Sequence, residues 1–181
     1  MTKLCRFESG SAQSAVANLL SALGQDVGRL KETPSIASSG LESLISGSET
    51  NPADCLVDLI PNTQKGIVIL RDIPFRSICE HHLLPFVGTA NLLYEPGKFL
   101  AGLGNLTSLV RCAARRLSIQ ERVTDQIADA IYTGLCARRV LVSLAARHTC
   151  ILDEAGNTEV TTFAHRGIGD ADIISFMTII R

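Results

Sequence analysis

The sequence predicts an α+β protein, an antiparallel sheet with two helices on one face, preceded by an N-terminal helical region. Three observations predict it. After Lys65 the patterns run strand, strand, helix, helix, strand, strand, an order that packs a helical layer on an antiparallel sheet. A chain of 181 residues, 46% hydrophobic and 19% charged, is long enough for one well-buried domain with a helical appendage and does not demand two. Residues 12–23 carry a helical period of their own, well before the first strand. The expected division is an N-terminal helical region and connector over 1–60 and the main domain over 61–181.

Each element has a local reason. From Ala12 to Leu23, apolar residues at 12, 15, 16, 19, 20 and 23 follow the i, i+3, i+4 spacing of an amphipathic helix, and Gly24 is a natural stop. Thr33 to Thr50 is rich in Ser, Gly and Pro, helix-like only around Leu41 to Ile45, and reads as a loosely structured connector. Gly66 to Ile73 is β-branched and compact, and Leu83 to Tyr94 is a second strand-like stretch. The element Cys79-Glu80-His81-His82 therefore falls between two strands. Leu106 to Leu117 is helical, with Leu106, Leu109, Val110, Ala113, Ala114 and Leu117 on one face. Gln120 to Leu135 carries Ile127, Ala130, Ile131 and Leu135 at similar spacing, and Val140 to Ala146 and Glu159 to Ala164 return to strand.

A net charge of -1 without a basic run provides no field for nucleic acid or an anionic membrane, so neither is an expected partner. The chain lacks a signal-type start and an apolar run of about 18 residues, which makes a cytoplasmic location the expectation. Six cysteines are too sparse for a disulfide scaffold and are expected to be reduced, with Cys112 and Cys136 as small core residues.

Cys79, His81, His82, His148 and Cys150 bring together two thiols and three imidazoles. Zinc accepts sulfur and imidazole nitrogen tetrahedrally, and a catalytic site keeps one of its four positions for water. Cys79, His82 and Cys150 supply the three protein ligands such a site needs. On spacing alone two other readings stand beside it: a closed structural site completed by His81 or His148, or buried thiols next to a surface histidine pair.

The words around these residues carry more. Phe75-Arg76-Ser77-Ile78-Cys79-Glu80-His81-His82, then Tyr94-Glu95-Pro96, Gly102-Leu103, Gln120-Glu121-Arg122 and His148-Thr149-Cys150 resemble the GTP cyclohydrolase I family, in the same order. Leu19 to Gly24 and Leu30 to Pro34 are similar to that family's N-terminal helical region, so the likeness covers nearly the whole chain. The resemblance implies the tunnelling fold, in which sheets of several subunits close into an oligomeric barrel with active sites between subunits, usually in a homo-decamer. It implies a zinc hydrolase acting on C–N bonds of a cyclic amidine: C8 of a guanine is hydrated, the imidazole ring opens and C8 leaves as formate. Zn2+ would be held by Cys79, His82 and Cys150, with His81 and His148 moving protons and Gln120 and Glu121 reading the guanine. Histidine suits proton transfer because its ordinary pKa is about 6.5. Gln120 and Glu121 also have a bland reading as first-turn helix residues. Glu80 is expected to orient a ligand or His81, since metal sites need such supporting carboxylates.

The chain departs from the family where phosphates bind. After Gly102-Leu103 the family has Ser-Lys and, three positions after the Lys, an Arg; here those positions hold Gly104, Asn105 and Ser108. A second Arg, four positions after the HxC cysteine, is replaced by Glu154. Charge-assisted contacts are worth roughly 1.5–3 kcal/mol each, so losing three weakens triphosphate binding by several kcal/mol, or many thousandfold. The expected substrate is therefore a small guanine-like heterocycle without a triphosphate, in specialised biosynthesis. The alternatives are a true GTP cyclohydrolase I making dihydroneopterin triphosphate and formate, and a non-catalytic zinc-binding or regulatory subunit. His81 and His148 argue against the last, because a scaffold needs no imidazole pair beside its metal.

Overall fold

The computed structural model describes residues 9–151, 158–169, 173–175 and 178–179. Two compact units divide it, residues 1–44 and 45–181. Glu154 and Cys5 lie outside the described residues.

In the first unit, α1 spans Ser9–Ala22. It ends as its glycine requires: Gly24 takes φ 72°, and the N–H groups of Gly24 and Gln25 donate to the carbonyls of Ser21 and Leu20, a Schellman closure. The second helix corrects an expectation. Thr33–Ile45 is not a loose connector but helix α2. Pro34 stands in its first turn, where a missing N–H costs nothing, and serine lowers helix propensity by only a few tenths of a kcal/mol per residue.

The second unit contains a five-stranded sheet in the order β5-β2-β3-β6-β7. Its strands are β2 (Val68–Cys79), β3 (Pro85–Glu95), β5 (Leu117–Ser118), β6 (Arg139–His148) and β7 (Val160–Arg166). The long strands pair antiparallel, and only the short β5 runs parallel to β2. A small ribbon joins β1 (Ile60–Pro61) to β4 (Phe99–Leu100). Helices α3 (Leu103–Ala114) and α4 (Gln120–Gly134) pack on one sheet face. Because side chains alternate along a strand, Phe86, Ala90, Leu92 and Tyr94 of β3 and Val140, Val142, Leu144 and Ala146 of β6 enter one core. Leu106, Leu109, Val110, Ala113 and Ala114 of α3 and Ile127, Ala130, Ile131 and Leu135 of the α4 region meet them there, as their period predicts.

Three local expectations are corrected. Leu117 leaves the helical face, forms β5 and is exposed. Cys136 is exposed rather than core, because it takes φ 46° just after α4 and turns its thiol outward. Cys112 is half-buried, its Sγ facing Thr50 O at 3.8 Å. A short 3-10 helix at Pro52–Cys55 packs on α3. No helix among the described residues is long and apolar enough to cross a membrane.

Candidate active site

β2 delivers Cys79 to the edge of the core and then reverses. Leu83 N–H donates to Cys79 O and Cys79 N–H to Leu84 O, both at 2.9 Å, and Leu83 takes φ 56° to close the turn. A leucine in the left-handed region is disfavoured by about 1–2 kcal/mol, so the surrounding bonds hold it there. One further bond is Glu80 N–H to Ser118 O at 3.1 Å, which ties the turn to β5. The reversal carries the His82 ring back until Nδ1 lies 3.4 Å from Cys79 Sγ.

Cys150 arrives from β6. Pro85 O accepts from Thr149 Oγ1 at 2.7 Å and from Thr149 N–H at 3.3 Å, and Ile151 N–H donates to His148 O. This latch pins the turn after β6 against the start of β3. The ligand atoms of Cys79, His82 and Cys150 then lie within 4.8 Å of one another. Cys79 is buried, Cys150 half-buried and His82 exposed, so the cluster opens to one side. Desolvation first, and the neighbouring Cys79 sulfur second, push the Cys150 thiol above its ordinary pKa.

The donor set fits zinc. Bond lengths of about 2.3 Å to sulfur and 2.0 Å to nitrogen put tetrahedral neighbours about 3.5 Å apart, which Cys79 and His82 already match. The Cys79 sulfur beside Cys150 disfavours the Cys150 thiolate in the metal-free chain, and a bound dication would offset that.

His148 ends β6 beside this cluster. Its ring stacks on Phe86 with centroids 4.5 Å apart and planes 4° from parallel, a contact set by the register pairing of the two residues. Its Nε2 lies 2.8 Å from Gln120 Oε1. Burial lowers its pKa, and the nearby Glu121 carboxylate opposes that. The net direction is downward, which favours the neutral imidazole, the form that accepts a proton.

The other expected residues occupy distinct places. His81 is exposed, 67% by side chain, with Nε2 4.0 Å from Glu80 Oε1. Glu80 is held by Arg122 in a two-point pair of 2.5 and 3.2 Å, which keeps its carboxyl below the ordinary range. Glu121 is exposed in the first turn of α4. Gln120 is 1% exposed, and its carboxamide is bonded to Leu144 O, Val160 O, Thr162 and His148. Gly104 and Ser108 are exposed in α3, while Asn105 Nδ2 donates to Val57 O at 2.5 Å.

Sequence reasoning passed over two participants. Arg122 stood in the Gln120-Glu121-Arg122 string but was assigned no partner; an Arg one turn from a helix start, facing the turn that bears Glu80, is the signal. Phe86 looked like an ordinary strand residue, and only the register with His148 makes it a platform.

The family model for GTP cyclohydrolase I matches residues 12–176. A relative named GTP cyclohydrolase 1 from Leifsonia xyli subsp. xyli is 41% identical over 149 residues, spanning 80% of this chain and 78% of its own. One of the same name from Campylobacter jejuni is 40% identical over 162 residues, spanning 86% and 85%. Among solved structures, an archaeosine synthase QueF-like protein in the apo form superposes with a TM-score of 0.51 at 14% identity, over 59% of this chain and 99% of that one. At that identity the likeness is one of fold alone, and the fold is the tunnelling fold.

Proposed function

The chain belongs to the GTP cyclohydrolase I family, and from that premise we propose that it is a zinc-dependent cyclohydrolase opening the imidazole ring of a guanine-like heterocycle. The observation that carries this reading is the convergence of Cys79, His82 and Cys150 within 4.8 Å, beside a half-buried His148 that faces Gln120. Cys79, His82 and Cys150 would hold the metal, which when bound acts as a Lewis acid and makes water a competent nucleophile near neutral pH.

The chain's own residues do the rest. Glu121 accepts hydrogen bonds from the ring N–H and exocyclic amine of the heterocycle and fixes its position. His148 accepts the proton of the water that adds to C8. His81, exposed at the mouth of the site, protonates the ring nitrogen as the first C8–N bond breaks, and a second water hydrolyses the resulting formamide, releasing C8 as formate and leaving the amine. Glu80 and Arg122 hold the turn that presents His81. The apolar residues left exposed around the site, Leu83, Leu84 and Val87, support an assembly in which further copies of the chain complete it.

The preferred substrate carries fewer phosphates than GTP. Asn105 is neutral and its amide is engaged by Val57, Ser108 and Gly104 bring no charge, and Glu154 brings one of the wrong sign. A second reading, GTP itself as substrate, is favoured by the relatives named GTP cyclohydrolase 1 at about 40% identity. Turnover of GTP, GMP, guanosine and guanine by the zinc-loaded protein, followed by formate release, separates the two. We expect kcat/KM for GMP or guanosine to equal or exceed that for GTP. A preference for GTP of about a hundredfold or more establishes the second reading, and formate from none of the four removes both.

A further inference from the structure

The carboxamide of Gln120 is oriented by groups that leave it no choice. Its Nε2 donates to Leu144 O and to Val160 O, each at 2.9 Å. An amide NH2 has two hydrogens, and both meet carbonyls that only accept. A flipped amide would set Oε1 against two carbonyl oxygens. The hydroxyl pair alongside agrees: Thr124 Oγ1 donates to Gln120 O at 2.7 Å, so the 2.6 Å contact between Thr124 and Thr162 is donated by Thr162. That leaves a lone pair of Thr162 Oγ1 facing Gln120 Nε2 at 3.2 Å.

Oε1 is thus the atom that faces His148 Nε2 at 2.8 Å, and an amide oxygen only accepts. Nε2 must carry the hydrogen, which leaves the lone pair of the neutral ring on Nδ1. Phe86 already fixes the ring plane. We propose that Gln120 is a positioning residue: it holds the His148 ring in place as the Nε2–H tautomer, which leaves the ring's lone pair on Nδ1. Gln120, at 1% exposure with its polar atoms committed, is not the reader of the heterocycle; that task falls to Glu121.

The inference rests on the reading of His148 as a proton-transfer group, and its test does not depend on turnover. With histidine-selective 15N labelling of the whole zinc-loaded protein at about pH 8, long-range 1H–15N correlation distinguishes the tautomers, a His148→Asn variant providing the assignment. We expect a protonated Nε2 and a bare Nδ1; the reverse tautomer overturns the inference, whatever the enzyme turns over. In Gln120→Met the two tautomers should mix. With whichever of the four guanine compounds turns over fastest, kcat should fall about 10- to 100-fold with KM changed less than about threefold, part of the about 10²- to 10⁴-fold that positioned proton transfer contributes. A loss carried by KM with the tautomer intact makes Gln120 a substrate contact and overturns the positioning role. Should Gln120→Met not fold, the wild-type tautomer decides alone. A protein that shows the Nε2–H tautomer yet releases no formate refutes the ring-opening reading instead.

Discussion

Replacing Cys150 by alanine tests the proposed metal centre through the metal itself. In the folded chain the three ligand atoms lie within 4.8 Å, and Cys79 Sγ and His82 Nδ1 are already 3.4 Å apart. Little reorganisation is needed on binding, so removing a ligand forfeits nearly its whole share. Four-ligand structural sites bind zinc with about 10–16 kcal/mol, or about 2.5–4 kcal/mol per ligand. Cys150→Ala should therefore raise the zinc Kd by about 10²- to 10³-fold. The dependence on pH is sharper still. Cysteine ligands bind as thiolates, and each thiol that sheds a proton on binding steepens the apparent Kd by about tenfold per pH unit. Because Cys150 is pushed above the ordinary thiol value by desolvation and by Cys79, it is protonated at neutral pH when metal-free, and affinity rises with pH. Wild type should gain up to about tenfold more per pH unit than the variant between about pH 7 and 8, the share of the Cys150 proton. Competition against a chromophoric zinc chelator across that range reads both numbers, with circular dichroism as the control for folding. Zinc bound by Cys150→Ala with unchanged affinity and unchanged pH slope would refute the assignment of Cys150 as a ligand.

Two further predictions follow from the same geometry. Glu121→Gln removes the carboxylate that raises the His148 pKa against its burial, so the acid limb of kcat/KM should move to lower pH; a limb that stays or moves up contradicts the pairing. The same change should raise KM for the guanine compound about 10- to 100-fold through loss of a charged acceptor. Gly88→Ala places a Cβ 1.9 Å from Ala145 O and 2.7 Å from Ala146 Cα, forcing β3 and β6 apart two residues from the Phe86–His148 pair. Urea unfolding should show a loss of about 1–3 kcal/mol, and a midpoint equal to wild type would mean the strands are not this close.

The helical faces of α3 and α4 were legible because a helix writes its burial into local spacing: Leu106, Leu109, Val110, Ala113 and Ala114 need no distant information to be read as one stripe. The convergence of Cys79, His82 and Cys150 was legible because thiols and imidazoles at a strand reversal have few other uses. α2 was not, since its serines mimic a linker and only the absence of a proline beyond Pro34 separates the two. Cys136 has the apolar neighbours of a core residue, while its own left-handed backbone after α4 turns it outward.

The amino-acid sequence by itself determined the layer order, the family and the donor chemistry of the candidate metal cluster, because each is carried by short strings whose meaning does not depend on the rest of the chain. Only the tertiary structure decided what Gln120 does. Its amide is turned by the carbonyls of Leu144 and Val160 and by the hydroxyl of Thr162, on two strands far along the chain from it. Hydrogen-bond polarity is a property of partners, and those partners meet only when β6 and β7 pack on the start of α4.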